Sequence, residues 1–344
     1  MNIHAEPKSF RAFQLITDAL EALDDFNTTH NQQRLHDAKT KLAAAAEDDP
    51  EYLLAQYYGA IVDELLGHRK QAIKTFASLL KSSSDDELLL RYNLGVAEYH
   101  GYNHAALDEA IKHFEHVRNA NRDNSLRLLA TAGLAQAHAM HEIPKDYQAA
   151  DVDAIRQHYC CAKKFADVCL QEVGLKEVGG LRCPIFSRRR HDLKYRNQVR
   201  WIAYNAIGMA DMYLSDIQAA GVDRIVLLKS SLRALQEAEA VSPGRWENRC
   251  DLGSVKMRIS LAANDTSAFH EAEEDLRLVI DALRPGYAFA YYELGRLYRT
   301  QNRFSDSEEL FNHALKVPSD DRDVSDATIQ HQLDLVKKRD ASFP

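Results

Sequence analysis

The 344-residue chain carries 43 basic and 51 acidic residues, a formal charge of −8, with 45% apolar and 27% charged positions. That balance fits a soluble folded protein and argues against a general nucleic-acid binder, and no run approaches the roughly 18 apolar residues of a membrane span. Five cysteines, an odd number, suit free thiols in a reducing compartment, and the N-terminal twenty residues show no basic stretch followed by an apolar run, so a cytoplasmic protein is expected.

Strand signals are nearly absent, while apolar residues recur at three- and four-residue spacing, which predicts an all-α chain built from internal repeats. In chain order, Ala38-x3-Leu42-x2-Ala45-x4-Pro50 reads as the second helix of a first pair. Gly59 then precedes Ala72-x3-Phe76-x2-Leu79, and Leu94-Gly95 precedes Ala110-x3-Phe114-x2-Val117. "SLRLLATAGLAQAHAM", with Gly133, reads as a further first helix, and its partner around "RQHYCCAKKFADVCL" comes after a long connection. An irregular stretch over 172–194 interrupts the pattern. It resumes with Tyr204, Ile207 and Gly208, then Ser231-x3-Leu235-x2-Ala238-x4-Pro243. Leu252-Gly253 is followed by Ala272, Leu276 and Pro285. The fullest copy is Tyr291-x2-Leu294-Gly295-x2-Tyr298, then Ser307-x3-Phe311-x2-Ala314 with Pro318 closing it. Residues 319–340 read as a terminal helix with a polar outer face, and "EDDP", "SSSDDE" and "VPSDD" between units are expected to supply helix N-caps.

Glycine in a helix interior is disfavoured by about 1 kcal/mol relative to alanine, so its recurrence needs a steric reason. Two helices approach closely when one offers a notch where the other offers bulk. Gly295 and Ser307 are read as notches, with Tyr291, Leu294, Tyr298, Phe311 and Ala314 filling the space around them. This pattern resembles the tetratricopeptide repeat (TPR), a helix–turn–helix unit of about 34 residues patterned W-x2-L-G-x2-Y, A-x3-F, P. The resemblance implies an α-solenoid, a right-handed superhelix of about seven helix pairs with a C-terminal capping helix. The expected organisation is repeats over 1–171, a basic insertion over 172–194, repeats over 195–318, and a capping helix and tail over 319–344. It also implies a concave groove, lined by first helices, that holds a peptide or partner helix. The residues placed there are Tyr92, Tyr99, Asn205, Met209, Tyr213, Met257, Arg258, Tyr292, Arg296 and Arg299, types enriched at interface cores or competing for inter-repeat packing. The Lys/Asn set with which one branch of the family clamps a C-terminal carboxylate is not found on three consecutive units.

No phosphate-binding, dinucleotide, zinc-protease or nucleophile-elbow motif occurs. His141-Glu142 and His270-Glu271 are isolated pairs. His158, Cys161 and Cys169 share a helical face near Cys160, Cys183 and His191, but without a C-x2-C knuckle the cysteines read as small core residues, and neither metal nor cofactor is expected. "SRRRHDLKYRNQVRW" carries Arg188, Arg189, Arg190, Lys194, Arg196 and Arg200 against one Asp. It reads as a solvated loop or as a dock for an acidic or phosphate-bearing partner, nucleic acid being disfavoured for want of interleaved aromatics. The expected function is a non-enzymatic scaffold or adaptor binding a protein or peptide. The alternative is a regulatory sensor that takes a peptide or anionic ligand and changes superhelix curvature.

Overall fold

The computed structural model describes residues 3, 7–29, 31–82, 86–100, 104–120, 124–140, 149–175, 190–217, 222–317 and 324–342. Among them every regular element is helical, and consecutive helices pack in pairs. α1 (Phe10–Thr29) pairs with α2 (Gln32–Asp48), α3 (Leu53–Leu65) with α4 (Arg69–Ser82), α5 (Glu87–Tyr99) with α6 (His104–Asn119), and α7 (Asn124–Ala139) with α8 (Ala149–Leu175). The second half continues with α9 (Arg190–Ile217) and α10 (Val222–Val241), α11 (Trp246–Ala263) and α12 (Phe269–Leu278), and α13 (Ala288–Thr300) and α14 (Phe304–Lys316). α15 (Asp326–Lys337) closes the array against α14 and α13. From α5 onward each first helix also touches the next first helix. The apolar interior is divided along the chain into successive clusters, each shared by neighbouring helices, as nearest-neighbour stacking requires. This is an all-α solenoid.

The notches are where the spacing puts them. A Cβ added at Gly295 would lie 2.7 Å from the Phe311 ring, one at Gly208 2.6 Å from Leu235, and one at Gly253 2.7 Å from Leu276. Phe114 on α6 fills two notches at once: added Cβ atoms at Gly95 and Gly133 would meet its ring at 2.7 and 2.8 Å. Hydrogen bonding reinforces the contact in two units. Ser307 Oγ donates to the Gly295 carbonyl at 2.7 Å, and Ser231 Oγ to the Gly208 carbonyl at 2.6 Å. A helix carbonyl is already an acceptor along its own axis, and its second lone pair is reachable only because no side chain covers it.

Three expectations change. Gly59 is no notch, because nothing lies within 4 Å of a Cβ built there; the buried small residues of α3 are Ala55 and Ala60. Asp49 and Asp86 do not cap the helices that follow them with their side chains. They hold the N-terminal segment instead: Asp49 Oδ2 accepts from the Lys8 amide at 2.7 Å, and Asp86 Oδ2 accepts from the Ile3 amide at 2.7 Å. Side-chain caps of the expected chemistry come from outside the three clusters: Ser9 on α1, Asn31 on α2 and Ser325 on α15 accept from the amides of Ala12, Gln33 and Thr328. The stretch 172–194 is helical at both ends, because α8 runs to Leu175 and α9 starts at Arg190, while 176–189 and Pro318 lie outside the described residues.

Gly295→Ala is expected to destabilise the protein by about 1–3 kcal/mol through overpacking against Phe311. Gly59→Ala should be neutral or stabilising by up to about 1 kcal/mol, since it gains helix propensity at no steric cost. Urea unfolding of the two variants beside the parent checks this, and equal effects would mean that close approach does not explain the glycines.

Candidate partner-binding surfaces

The first helices of the second half are joined by a chain of polar side chains. Gln136 on α7 donates to Asn205 on α9 at 3.3 Å, and Asn205 donates to Asp251 on α11 at 2.8 Å. Further along the same helices, Arg258 on α11 reaches back to Asp216 on α9 at 3.2 Å and forward to Glu293 on α13 at 3.2 Å. Arg296 shares Glu293 at 2.8 Å. Arg299 ends the chain, donating to Gln332 on α15 at 3.1 Å and to the carbonyl of Ser342 at 2.7 Å. Burial opposes the charge on Glu293, yet Arg296 and Arg258 hold its carboxyl below the ordinary range. Burial likewise opposes the charge on Arg258, and Asp216 and Glu293 keep it firmly protonated. Asp251 has less help. Burial pushes its carboxyl up to about 7; the Asn205 hydrogen bond and Arg258 oppose this, while Glu247 and Glu293 add to it.

This chain corrects the expected groove. Asn205, Arg258, Arg296 and Arg299 belong to it and are buried, and Tyr99, Met209, Met257 and Tyr292 are buried in apolar packing. Their bulk and polarity serve the contact between repeats. Only Tyr92 and Tyr213 keep partial exposure, Tyr92 against Phe114 and Tyr213 stacked on Tyr159. Burial pushes the Tyr92 phenol well above its ordinary value.

Of the basic run, Arg188 and Arg189 lie outside the described residues, and Arg190 and Lys194 are placed by backbone alone in the first turns of α9. Arg196 and Arg200 are half-buried on α9. Two residues beyond the run extend its surroundings. Arg245, in the turn before α11, lies with Cζ 3.5 Å from the centre of the Trp201 ring; Arg284, in the connection before α13, lies 4.2 Å from that of Trp246. Local backbone explains both. Gly244, at φ +76°, turns the chain so that Arg245 precedes α11 in extended conformation. The helix after α12 widens to a π-turn over Val279–Leu283, which ends at Arg284. Neither arginine is visible in the run of charges, but the register hints at them: Trp201 and Trp246 each stand seven residues before a notch glycine.

Of the cysteine–histidine set, Cys169 is core, its thiol 3.8 Å from the Leu128 carbonyl and pushed by burial up to about 12. Cys161 is half-buried and Cys160 exposed, while Cys183 lies outside the described residues and His191 is placed by backbone alone. His158 instead meets His138 on α7, Nδ1 to Nδ1 at 2.8 Å, and burial with the neighbouring His158 and Arg118 lowers His138 to about 4. Among the described residues no three His, Cys, Asp or Glu side chains gather as a metal site.

No protein-family model matches the sequence, and no curated protein matches it. Solved structures do. A tetratricopeptide repeat protein from Parabacteroides merdae superposes with a TM-score of 0.52 at 13% identity, covering 96% of this chain and 100% of that one. TTC0263, a thermophilic TPR protein of Thermus thermophilus, matches with a TM-score of 0.47 at 16% identity over 73% of this chain and 99% of its own. The chain is a TPR-like helical repeat protein in fold.

Asp251 ties stability to pH. Its carboxyl titrates near 3.8 when unfolded and about 7 when folded, so the folded state binds the proton more tightly. The stability this contributes is full below pH 4 and is lost as pH rises through about 7, a change of a few kcal/mol in order of magnitude. Asp251→Asn should remove the dependence while keeping an acceptor for Asn205. The difference between variant and parent in urea midpoint should therefore widen in the variant's favour from pH 4 to 8; parallel curves would show that Asp251 is ionised throughout.

Proposed function

We propose that the chain is a non-enzymatic scaffold or adaptor, binding protein partners as a subunit of a larger assembly. The observation that carries this is how the buried charges are used. Arg258, Glu293, Arg296 and Arg299, with the half-buried Asp216, are spent on joining one first helix to the next, so they form the spine of an extended array. Such arrays present a long surface and flex between neighbours, which suits holding partners. A partner is expected to meet the half-exposed Tyr92 and Tyr213 on the first helices and the basic run from Arg188 to Arg200.

Affinity purification of the tagged protein from its native host, followed by mass spectrometry, is expected to recover a defined set of proteins at near-stoichiometric amounts. Recovery of the chain alone at native expression level would sink the scaffold reading. For a partner so identified, replacing Arg188, Arg189 and Arg190 by Glu should slow association several-fold and leave melting unchanged. Parent binding should weaken with salt, since steering acts over a Debye length of about 8 Å. Unaltered association would remove the run from the binding surface.

A further inference from the structure

We propose that the edge formed by the entry turns of α11 and α13 and the N-terminal part of α9 docks an extended, carboxylate-rich segment of a partner protein; this names a site and a chemistry within the scaffold reading and rests on it. Trp201, Trp246 and Ala288 stand at one register position, each seven residues before the notch glycine of its helix. The residues that enter these positions therefore line one edge of the array. At that edge the two guanidiniums are stacked on rings, Arg245 on Trp201 and Arg284 on Trp246, and Tyr287 meets Trp246 edge-on at 4.4 Å. A guanidinium lying on an indole keeps its N–H donors at the ring's rim and has little rotamer freedom left to lose, which favours two-pronged binding of a carboxylate.

α9 extends the same edge. Whereas α11 starts at Trp246, α9 runs on N-terminally from the equivalent Trp201 to Arg190, an overhang of about 16 Å at 1.5 Å per residue. Arg200 precedes Trp201 as Arg245 precedes Trp246, and Arg196 lies one turn earlier on the same face. Among the described residues no carboxylate lies within ion-pair distance of Arg196, Arg200 or Arg284, in a chain of formal charge −8. Two carboxylates of the chain already sit by this edge: Glu239 accepts from the Gly244 amide in the entry turn of α11 and is paired with Arg249, and Glu247 is the one that meets the stacked arginines. Glu247 accepts from Arg245 at 3.1 Å, and against burial Arg245 and Arg284 together hold its carboxyl below the ordinary range. It marks the chemistry the edge accepts, and it leaves a positive excess.

Carboxylate is favoured over nucleic acid because the ring faces are taken. Arg245 lies over Trp201, which is itself 4% exposed, and Arg284 over Trp246, so a base would stack on these faces only by displacing an arginine. The edge crosses three first helices, about 20 Å at usual packing distances, which roughly six extended residues span.

The probe is fluorescein-labelled hexaglutamate, followed by anisotropy with the full chain at low salt. Saturable binding is expected, weakening about tenfold as ionic strength is raised to shorten the Debye length to about 3 Å. Arg200→Gln and Arg284→Gln should each weaken it roughly fivefold, and Glu247→Gln should tighten it by removing the internal competitor. Arg200→Gln also serves as the fold control, since it removes neither an ion pair nor a ring contact, and its melting should match the parent. Absence of saturation, or affinity unmoved by all three substitutions, would overturn the proposal. So would tripolyphosphate or single-stranded oligothymidylate binding tighter than the peptide, which would assign the edge to phosphate. Partners recovered by purification while hexaglutamate fails to bind would leave the scaffold reading standing and end this one.

Discussion

In four of the helix pairs a bulky side chain of the second helix, Phe114, Leu235, Leu276 or Phe311, lies against bare glycine backbone on its first helix, and the stacking of those pairs depends on that contact. Phe311 against Gly295 shows why: the ring carbons are so near that even one methyl would collide. At this separation the Ser307 hydroxyl reaches a carbonyl that a side chain would shield. Phe114, seated against both Gly95 and Gly133, carries the same contact across a pair boundary, so one side chain sets the spacing within a pair and between pairs. Once the second helix occupies the notched face, the first helix has one remaining direction in which to meet its successor.

The polar chain occupies that direction. Buried ion pairs contribute little net stability, because desolvation consumes most of the attraction, but breaking one leaves an uncompensated charge and is strongly unfavourable. That asymmetry makes Arg258 a register device. It meets Asp216 on the preceding first helix and Glu293 on the following one, and a slip of one turn along any of the three helices would strand a charge. The apolar clusters alone would tolerate many sliding registers, since hydrophobic contact is non-directional. Asp251 is the exception within the chain, held by an amide instead of a guanidinium, and it is the member whose charge the fold does not secure.

Sequence spacing revealed the notches because steric exclusion acts at a fixed offset within a helix pair, so Gly208, Gly253 and Gly295 recur where bulk opposes them. It misled at Gly59, where nothing lies within 4 Å of a Cβ built there. Eight of the ten residues expected in the groove are buried, and the reason is chemical. Tyr, Met and Arg are enriched at interfaces, but an arginine is equally at home inside when carboxylates meet it, and those of Arg258 lie 42 and 35 residues away in sequence. A single sequence carries no sign of which carboxylate meets which arginine. Asp49 and Asp86 misled similarly: their type fits an N-cap, and only the path of the N-terminal segment shows that amides from residues 8 and 3 claim them.

The same side-chain type therefore has two fates in this array, decided by what neutralises it. Inside, Arg258 is flanked by two carboxylates and Arg296 shares one of them, so their fields are cancelled within the first helices. At the entry edge, Arg245 and Arg284 are covered mainly by indole rings, with Glu247 as the nearby carboxylate. A ring face lowers the desolvation penalty of a guanidinium through its quadrupole but contributes no net charge. The covered cation thus keeps its long-range field, directed away from the ring. An array that is acidic overall and neutralises its interior arginines within the first helices thus holds two guanidiniums rigidly on rings at its entry edge, with the Glu247 carboxylate between them, the arrangement on which the proposed dock rests.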